Sequence, residues 1–581
     1  MEKILDNNFY SRQIGTYGIR TQMKIMKMNV FIYGMRGVGI ETAKNLVLAG
    51  PKSLTIYDPN ISKINDLSSN FFIKEEDVNN YIKRDAACIQ HLSKLNPYVN
   101  LSIMEGDDII QDIKKKLNDP ELKYNVIIIT EFLPKNKIIE INELCRNNNI
   151  GFILSLEFGI FGYIFVDFGE DFTIFDETGE EVKEYLIEKI TKEKDGKVYI
   201  NSKLSGDIKY SSNDFISFKE IEGMNELNNI TPFKIKYIHG NIIEICDTSK
   251  FSDYIRGGTI YNVKLPKKIK FDSFKERIEE PIKENEKYFD PLDLKNINIQ
   301  EILRIGILAL FDFYDKTNNL PKINEKNDAD ELIKIAKNIL EQKEKEGIYW
   351  IKYVRSIIED YDIKFDFIFE KTIKYLSFWA KSEICPISSF IGGITSQEII
   401  KFSGKYKPIH QWLYCDFSQI VENLDIKEDD RKMINSRYDD QIAIFGKEIQ
   451  EKLSNTNIIM IGAGALGCEY AKIFATMGLC TGDNKNLSIA DNDRIEISNL
   501  NRQFLFQKNN VGRSKSEVVC TTIKKMNKDF NCISIQKRLN EESEDFFNEE
   551  FWNKQDYIIM AVDNREARKY IADQSKIYQK I

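Results

Sequence analysis

Gly462-Ala463-Gly464-Ala465-Leu466-Gly467 follows the apolar run IIMI at 458–461 and precedes a helical stretch. Glycines at this spacing let a backbone approach phosphate while a helix N-terminus faces the negative charge. Asp491 ends the next apolar run, where a carboxylate can accept hydrogen bonds from ribose hydroxyls. That much serves NAD, FAD and ATP equally. Farther along stand Arg502 and Lys515, cations able to grip a triphosphate. Asp563 and Asn564, at the end of a later apolar run, carry oxygens that suit Mg²⁺. Hydride transfer has no use for a magnesium-type carboxylate or for so many phosphate cations. The set therefore reads as an ATP site, with nicotinamide or flavin redox chemistry as the alternative.

The elements that must position these residues occur twice. YSRQIGTYG (10–18) lies over YDDQIAIFG (438–446) at an offset of 428, and VFIYGMRGVGIE (30–41) over IIMIGAGALGCE (458–469). A five-residue insertion within 480–486 shifts the offset to 433, at which LTIYDPN (54–60) meets LSIADND (487–493) and DLSSNFF (66–72) meets NLNRQFL (499–505). Each repeat reads as apolar strand, Gly-rich turn, helix and a second strand ending in aspartate. NVIIIT (125–130) and YIIMAVD (557–563) supply a later parallel strand. This is the start of a doubly wound α/β sheet, and two such repeats make a pseudo-symmetric pair.

The repeats have diverged in chemistry. Arg36 stands where the second repeat has Gly464, so its side chain crowds the phosphate path; Ser69 faces Arg502, Asn60 faces Asp493, and an ungapped frame sets Ile82 against Lys515, with Lys83 adjacent. The nucleotide site is expected in the second repeat, with the first repeat structural. One charge is inverted: Arg12 in the first repeat faces Asp440 in the second. If the pair is two-fold related, Arg12 reaches the other repeat's pocket as an arginine finger in cis.

Between the repeats, residues 171–265 carry short β-type runs and turn signals, and 266–375 are dominated by helical patterns such as IQEILRIGILALFDFY (299–314) and ADELIKIAKNILEQKEKEG (329–347). Gly392-Gly393 is expected to precede a helix over 394–404 that Gly404 caps. KKIKFDSFKERIEEPIKENEK (267–287) reads as a solvated face or linker. The fold class is thus α/β: two Rossmann-like domains with an inserted small β domain and a helical bundle.

Composition narrows the classes. The 581 residues allow about four domains at ~150 residues each. The net charge of −8 does not support a nucleic-acid partner, and no apolar run reaches the ~18 residues of a membrane span. No secretory signal opens the chain, which reads as soluble and intracellular. Nine cysteines without a C-x-x-C pair imply reduced thiols rather than a disulfide framework or zinc site. Three isolated histidines, His91, His239 and His410, leave little room for histidine catalysis.

Together, YSRQ, GxGxxGCE, DNDxIExSNLNRQFLF (491–506), Lys515 before Ser-Glu and AVDNxxAR (561–568) resemble the single-chain ubiquitin-activating enzymes. DLSSNFF, GMNELN (223–228), DTSKFSDYIRGG (247–258), PISSFIGGITSQEIIK (386–401) and QWLYCDF (411–417) extend the resemblance along nearly the whole chain. It implies an inactive adenylation domain (1–170, with a return segment 376–430) interrupted by a first catalytic-cysteine half-domain (171–265) and a four-helix bundle (266–375). An active adenylation domain follows (431–581).

In that family the C-terminal carboxylate of ubiquitin attacks the α-phosphate of ATP, releasing pyrophosphate. The resemblance makes Arg12, Arg502, Lys515 and Asp563 the catalytic set. It gives ATP contacts at Gly462, Gly464, Ala465, Gly467, Asp491, Asp493, Asn499, Gln503 and Asn564, and Mg²⁺ on Asp563 with Asp493 as a second candidate. It also implies ubiquitin and ubiquitin-conjugating enzymes as partners, a monomer built as an internal pseudo-dimer, and a cytoplasmic and nuclear location. The family continues past the point where this text stops, at Ile581, into the half-domain with the thioester cysteine and a ubiquitin-fold domain. No cysteine here has the expected Pro-x-Cys-Thr context (Cys480-Thr481 follows Leu479), so no thioester cysteine is assigned. The alternatives are a catalytically incompetent piece that binds a ubiquitin-like protein as a scaffold, and an enzyme for a different ubiquitin-like protein.

Overall fold

The computed structural model describes residues 6–201, 209–211, 214–279, 297–346, 365–422, 424 and 426–581. It falls into two compact units, one of Met1–Glu170, Phe271–Ser403 and Pro408–Ile581, the other of Asp171–Lys270 with Gly404–Lys407.

The larger unit contains both repeats. In the first, the strands Asn29–Tyr33, Ser53–Tyr57, Asn100–Ile103, Val126–Ile129 and Gly151–Phe158 are parallel in the spatial order 3-2-1-4-5. Phe161–Asp167 and Trp412–Asp416 extend that sheet antiparallel. In the second, Ile458–Ile461, Leu487–Ala490, Cys532–Ile535 and Tyr557–Met560 are all parallel in the order 3-2-1-4. Register is preserved: Val30 pairs with Leu54 and Val126, as Ile458 pairs with Leu487 and Tyr557. Apolar runs such as Val30–Ile32 and Val126–Ile129 are buried throughout, as expected of parallel strands covered on both faces. The five-residue insertion lies in the turn before Leu487–Ala490, where Cys480 and Asn484 have left-handed φ. Tyr557–Met560 is an edge strand with Tyr557 and Met560 exposed, whereas their counterparts Val126 and Ile129 are buried.

The two repeats meet through equivalent helices, Gly37–Ala49 and Ala465–Met477. Lys44 Nζ lies 2.8 Å from Glu41 and 2.5 Å from Glu469, and Lys472 Nζ lies 2.8 Å from Glu469 and also pairs with Glu41. Equivalent residues thus exchange partners across a pseudo-dyad. Phe71 and Phe504, also equivalent, have ring centroids 5.5 Å apart, and Lys44 and Lys472 sit 4.6 Å and 5.0 Å from the opposite repeat's ring. Buried charges persist only when paired in this way.

Two sequence expectations change here. The helix Cys385–Lys401 runs straight through Gly392-Gly393 and is capped by Phe402; Gly404 lies beyond the cap, in a left-handed turn. The pair is helical because its small size permits close packing: a Cβ on Gly392 would lie 2.6 Å from Glu41 Cβ. Second, Cys520 and Cys532 are joined as a disulfide with Cα atoms 5.5 Å apart, against the expectation of reduced thiols. The helix Lys515–Met526 packs beside the strand Cys532–Ile535, a proximity that a sequence separation of 12 does not reveal.

Helices Ile297–Thr317, Lys326–Lys345 and Phe365–Phe378 pack on one another through residues including Leu310, Leu332, Ala336, Phe369 and Ile373. The rest of the expected bundle, and residues 280–287 of the expected linker, fall outside the described residues. The smaller unit is a seven-stranded antiparallel sheet ordered Phe233–Lys234, Phe215–Glu222, Arg256–Val263, Glu184–Ile190, Lys197–Ile200, Ile242–Glu244, Tyr237–His239. Val198, Ile216, Phe218, Ile243 and Ile260 form its core. Among the described residues, no helix is long and apolar enough to cross a membrane.

Candidate active site

In an open α/β sheet, ligands bind outside the carboxyl ends of the strands, where the chain switches sides. In the second repeat that point lies between Ile458–Ile461 and Tyr557–Met560, and a cavity of about 630 Å³ opens there. The turn after the first strand begins with Gly462 at φ +100°, its N–H donating to Ala490 O at 2.9 Å. Ala463 N–H donates to Asp491 Oδ2 at 2.6 Å, and Asp493 N–H to Asp491 Oδ1 at 2.7 Å. Asp491 therefore braces the glycine turn while still facing the cavity. Burial pushes its carboxyl upward, opposed by these two donors.

Gly464 caps the helix Ala465–Met477 with φ −77° and ψ −153°, an extended conformation open to any residue, and a Cβ there would meet nothing within 4 Å. Its missing side chain leaves room in the crevice. Gly467 does not line the cavity; a Cβ on it would collide with the Gly462 carbonyl, so it serves close packing of helix on turn.

The other expected residues do line the cavity, among them Arg502, Lys515, Asp563 and, from the first repeat, Arg12. Arg12 is delivered by the helix Asn7–Tyr17, which Asp6 caps. Arg502 is held through one guanidinium nitrogen, by Ser498 O at 2.6 Å and Asn501 Oδ1 at 3.2 Å. Burial, and then the neighbouring Arg12 charge, pull Arg502 below its ordinary pKa. Two guanidinium groups facing each other are a favourable receptor for an anion. Lys515 opens its helix, is buried, and places Nζ 2.8 Å from Asp493 Oδ2. Asn499 Oδ1 is occupied by the Glu496 N–H, whereas Gln503 Oε1 is buried with no hydrogen-bond partner among the described residues.

Asn564 departs from its expected role. Its side-chain oxygen caps the helix Arg565–Ile577, accepting from Ala567 N–H at 2.7 Å, which takes it out of the magnesium ligand set. No cluster of three or more His, Cys, Asp or Glu side chains among the described residues could hold a metal unaided. Asp563 and Asp493 fit the usual magnesium arrangement, in which one or two carboxylates share the ion with substrate phosphates. The open cradle at Gly464 and the surrounding cations fit the nucleotide.

Lys537, Arg538, Arg494 and Arg568 also line the crevice, and reading the sequence did not single them out. Lys537 and Arg538 lie just beyond the strand Cys532–Ile535, so the strand-end rule was the signal available. The lining holds seven cationic side chains against four carboxylates, a positive focus in a chain of net charge −8.

The first repeat's crevice is built on the same backbone and is filled. Met35 N–H and Asn60 N–H both bond Asp58, as Ala463 and Asp493 bond Asp491. Arg36 caps its helix at φ −78° and ψ −160°, nearly the geometry of Gly464. Its guanidinium lies 3.2 Å from Asp440, 3.3 Å from Glu383 and 3.5 Å from Asp66, leaving a cavity of about 280 Å³. Burial alone would discharge Arg36; Glu383, Asp440, Glu131 and Asp66 hold it charged. Asp440 is the counterpart of Arg12, so each repeat's leading helix reaches the other repeat's crevice: one brings a cation, the other an anion for Arg36.

The ungapped frame that faced Lys515 with Ile82 needs correction. The bridge Ile61–Lys83 corresponds to Arg494–Ser514, and Arg84 N–H bonds Asn60 O as Lys515 N–H bonds Asp493 O. Arg84 is therefore the counterpart. The first repeat keeps a cation there, but Asp66 (2.8 Å), Glu131 (3.2 Å) and Asp58 (3.4 Å) consume it.

Comparison with known proteins agrees in extent with this architecture. A ThiF family model matches residues 438–581, a ubiquitin-activating enzyme E1 FCCH domain model residues 194–264, and a ubiquitin-activating enzyme E1 four-helix bundle model residues 265–340. Ubiquitin-like modifier-activating enzyme 1 of Dictyostelium discoideum is 36% identical over 583 residues, covering 100% of this chain and 54% of the relative. Ubiquitin-activating enzyme E1 1 of Candida albicans (strain WO-1) is 35% identical over 587 residues, covering 99% and 53%. The Homo sapiens ubiquitin-like modifier-activating enzyme 1 is 33% identical over 583 residues, covering 100% and 52%. The chain spans about half the length of the curated relatives it matches. Because the likeness runs through both repeats and the insertions between them, far beyond a shared glycine turn, the chain belongs to the ubiquitin-activating enzyme E1 family.

Proposed function

We propose that this chain binds Mg-ATP in the second repeat's crevice and adenylates the C-terminal carboxylate of ubiquitin. A carboxylate oxygen attacks the α-phosphorus. The acyl–oxygen–phosphorus bond forms as the α–β phosphoanhydride breaks, and pyrophosphate leaves with its electron pair. Arg12 and Arg502 hold the phosphates and balance the charge that builds on them. Lys515 exchanges its Asp493 partner for a phosphate oxygen, which frees Asp493. Asp563, with Asp493 as second candidate, holds Mg²⁺, which when bound neutralises phosphate charge and orients the chain of phosphates. Fixed cations of this kind act where charge develops, and losing one costs on the order of 10²–10³ in rate.

The supporting observation is the convergence of Arg12, from the other repeat, with Arg502, Lys515 and Asp563 around the open turn at Gly464. On this reading residues 1–170 and 376–430 form an inactive adenylation domain, 171–265 and 266–375 its insertions, and 431–581 the active domain. No residue here is assigned to thioester formation or to hand-over to ubiquitin-conjugating enzymes. The seven free cysteines are buried or half-buried, and burial raises their thiols above the ordinary value, the opposite of an activated nucleophile.

Exchange of labelled pyrophosphate into ATP, with and without ubiquitin, tests the proposal. Ubiquitin-dependent exchange that is lost in Asp563→Ala supports it. ATP binding with no ubiquitin-stimulated exchange overturns the adenylating role.

A further inference from the structure

A second cavity, of about 370 Å³, lies on the seam between the repeats and shares no lining residue with the nucleotide crevice. Its floor is apolar and comes from both repeats: Phe71 and Phe504 are buried edge to face, and Phe72 lies flat on the His91 imidazole with centroids 5.2 Å apart. Its rim is basic. Lys94 follows the helix Arg84–Ser93, and Lys525 occupies the last turn of its counterpart, Lys515–Met526, at the same offset that relates Arg84 to Lys515. The two lysines are therefore pseudo-dyad equivalents presented from opposite repeats. Lys74 and Arg513 complete the rim, and no Asp or Glu lines the cavity.

Arg513 is paired with Glu517 at 2.9 Å. Lys74, Lys94 and Lys525 are exposed and pair with no carboxylate among the described residues. The cations also act on one another: burial, then Lys74 and Lys94, hold His91 below its usual value, with Asp77 opposing. A concave site with a buried aromatic floor, lined by cations alone in an acidic protein, has its electrostatic repulsion relieved by a bound anion. Asn510, Thr521 and Thr522 add neutral donors around the same space.

We propose that this seam cavity is a second anion site, taking a small molecule with two or more phosphate groups bridged between Lys94 and Lys525. The enclosed volume suits a small ligand, and lysines facing from two sides suit separated phosphates better than a single charge. Because its Phe71–Phe504 floor also covers the buried Lys44–Lys472 cluster, an occupant would stiffen the contact between the repeats.

Calorimetric titration with inorganic tripolyphosphate tests this, with Arg502→Ala and the double variant Lys94→Ala/Lys525→Ala separating the seam from the nucleotide crevice. The wild-type chain is expected to bind at two sites. Arg502→Ala should keep the seam site, and the double variant should lose it with at least a tenfold weakening while retaining the crevice site. In crystals soaked in tungstate, an anomalous peak between Lys94 and Lys525 is expected. Unchanged two-site binding in the double variant overturns the proposal. So does a hexa-aspartate peptide that displaces tripolyphosphate from the seam at equal concentration, since the site would then belong to an acidic peptide.

Discussion

Gly464→Arg would rewrite the working crevice in the image of the silent one. The backbone tolerates it: Gly464 and Arg36 share nearly the same φ and ψ, and a Cβ at 464 meets nothing within 4 Å. Folding stability should change by less than about 1 kcal/mol, as for an unstrained surface substitution, and the melting temperature by about 2 °C or less. Nucleotide binding should not survive. The new side chain occupies the path of the phosphates and separates them from the N–H groups of the helix's first turn. A hydrogen bond to a charged group contributes about 1.5–3 kcal/mol, so losing two costs about 3–6 kcal/mol, or roughly 10²–10⁴ in affinity. Titration calorimetry with Mg-ATP reads the affinity, and thermal melting with and without ATP reads both quantities. ATP at a hundredfold its dissociation constant stabilises a protein by about 2.7 kcal/mol, an increment the variant should lack. Binding within threefold of wild type would refute the assignment of the phosphate path. A collapse in stability without ligand would refute the equivalence of the two turns.

Arg36→Gly, the reverse change, should fail to open the first crevice: it strands Asp66, Glu383 and Asp440, costing about 3–5 kcal/mol in chemical denaturation with no second ATP site gained. Arg12→Ala should lower pyrophosphate exchange about 10²–10³-fold while leaving the melting temperature unchanged, since the side chain is exposed. Glu131 is pushed up to about 8, chiefly by burial, so deprotonation in the folded state is penalised. Its effect on stability is absent below the ordinary carboxylate value, grows unfavourably as pH rises from about 4.5 to about 8, and is constant above. Glu131→Gln keeps an acceptor for Arg84, so melting followed from pH 5 to 8 should show the variant gaining on wild type as pH rises.

The duplication was legible because parallel strands covered on both faces need uninterrupted apolar runs, and these fall at constant offsets with a glycine turn after the first. The crossing of Arg12 into the second crevice was also legible, since a charge inverted between repeats has meaning only when the two face each other. The counterpart of Lys515 was missed because a two-residue shortening before the helix leaves no apolar marker, so the frame slid past Arg84. Gly392-Gly393 looked like a boundary, yet glycine also belongs where two helices touch, and spacing alone does not separate these uses. Asn564 was read as an oxygen ligand, but the same oxygen at the residue before a helix caps it. Lys537 and Arg538 gave no motif, only a position beyond a strand end. The link between Cys520 and Cys532 depends on which face of the helix meets the strand.

The central claim is that one of two equivalent crevices remains open to a nucleotide while the other is sealed by its own side chains. The stoichiometry of Mg-ATP binding to the wild-type chain tests it most directly. One site per chain is expected, abolished by Arg502→Ala. Two sites per chain, or a single site that persists in Arg502→Ala, would contradict it.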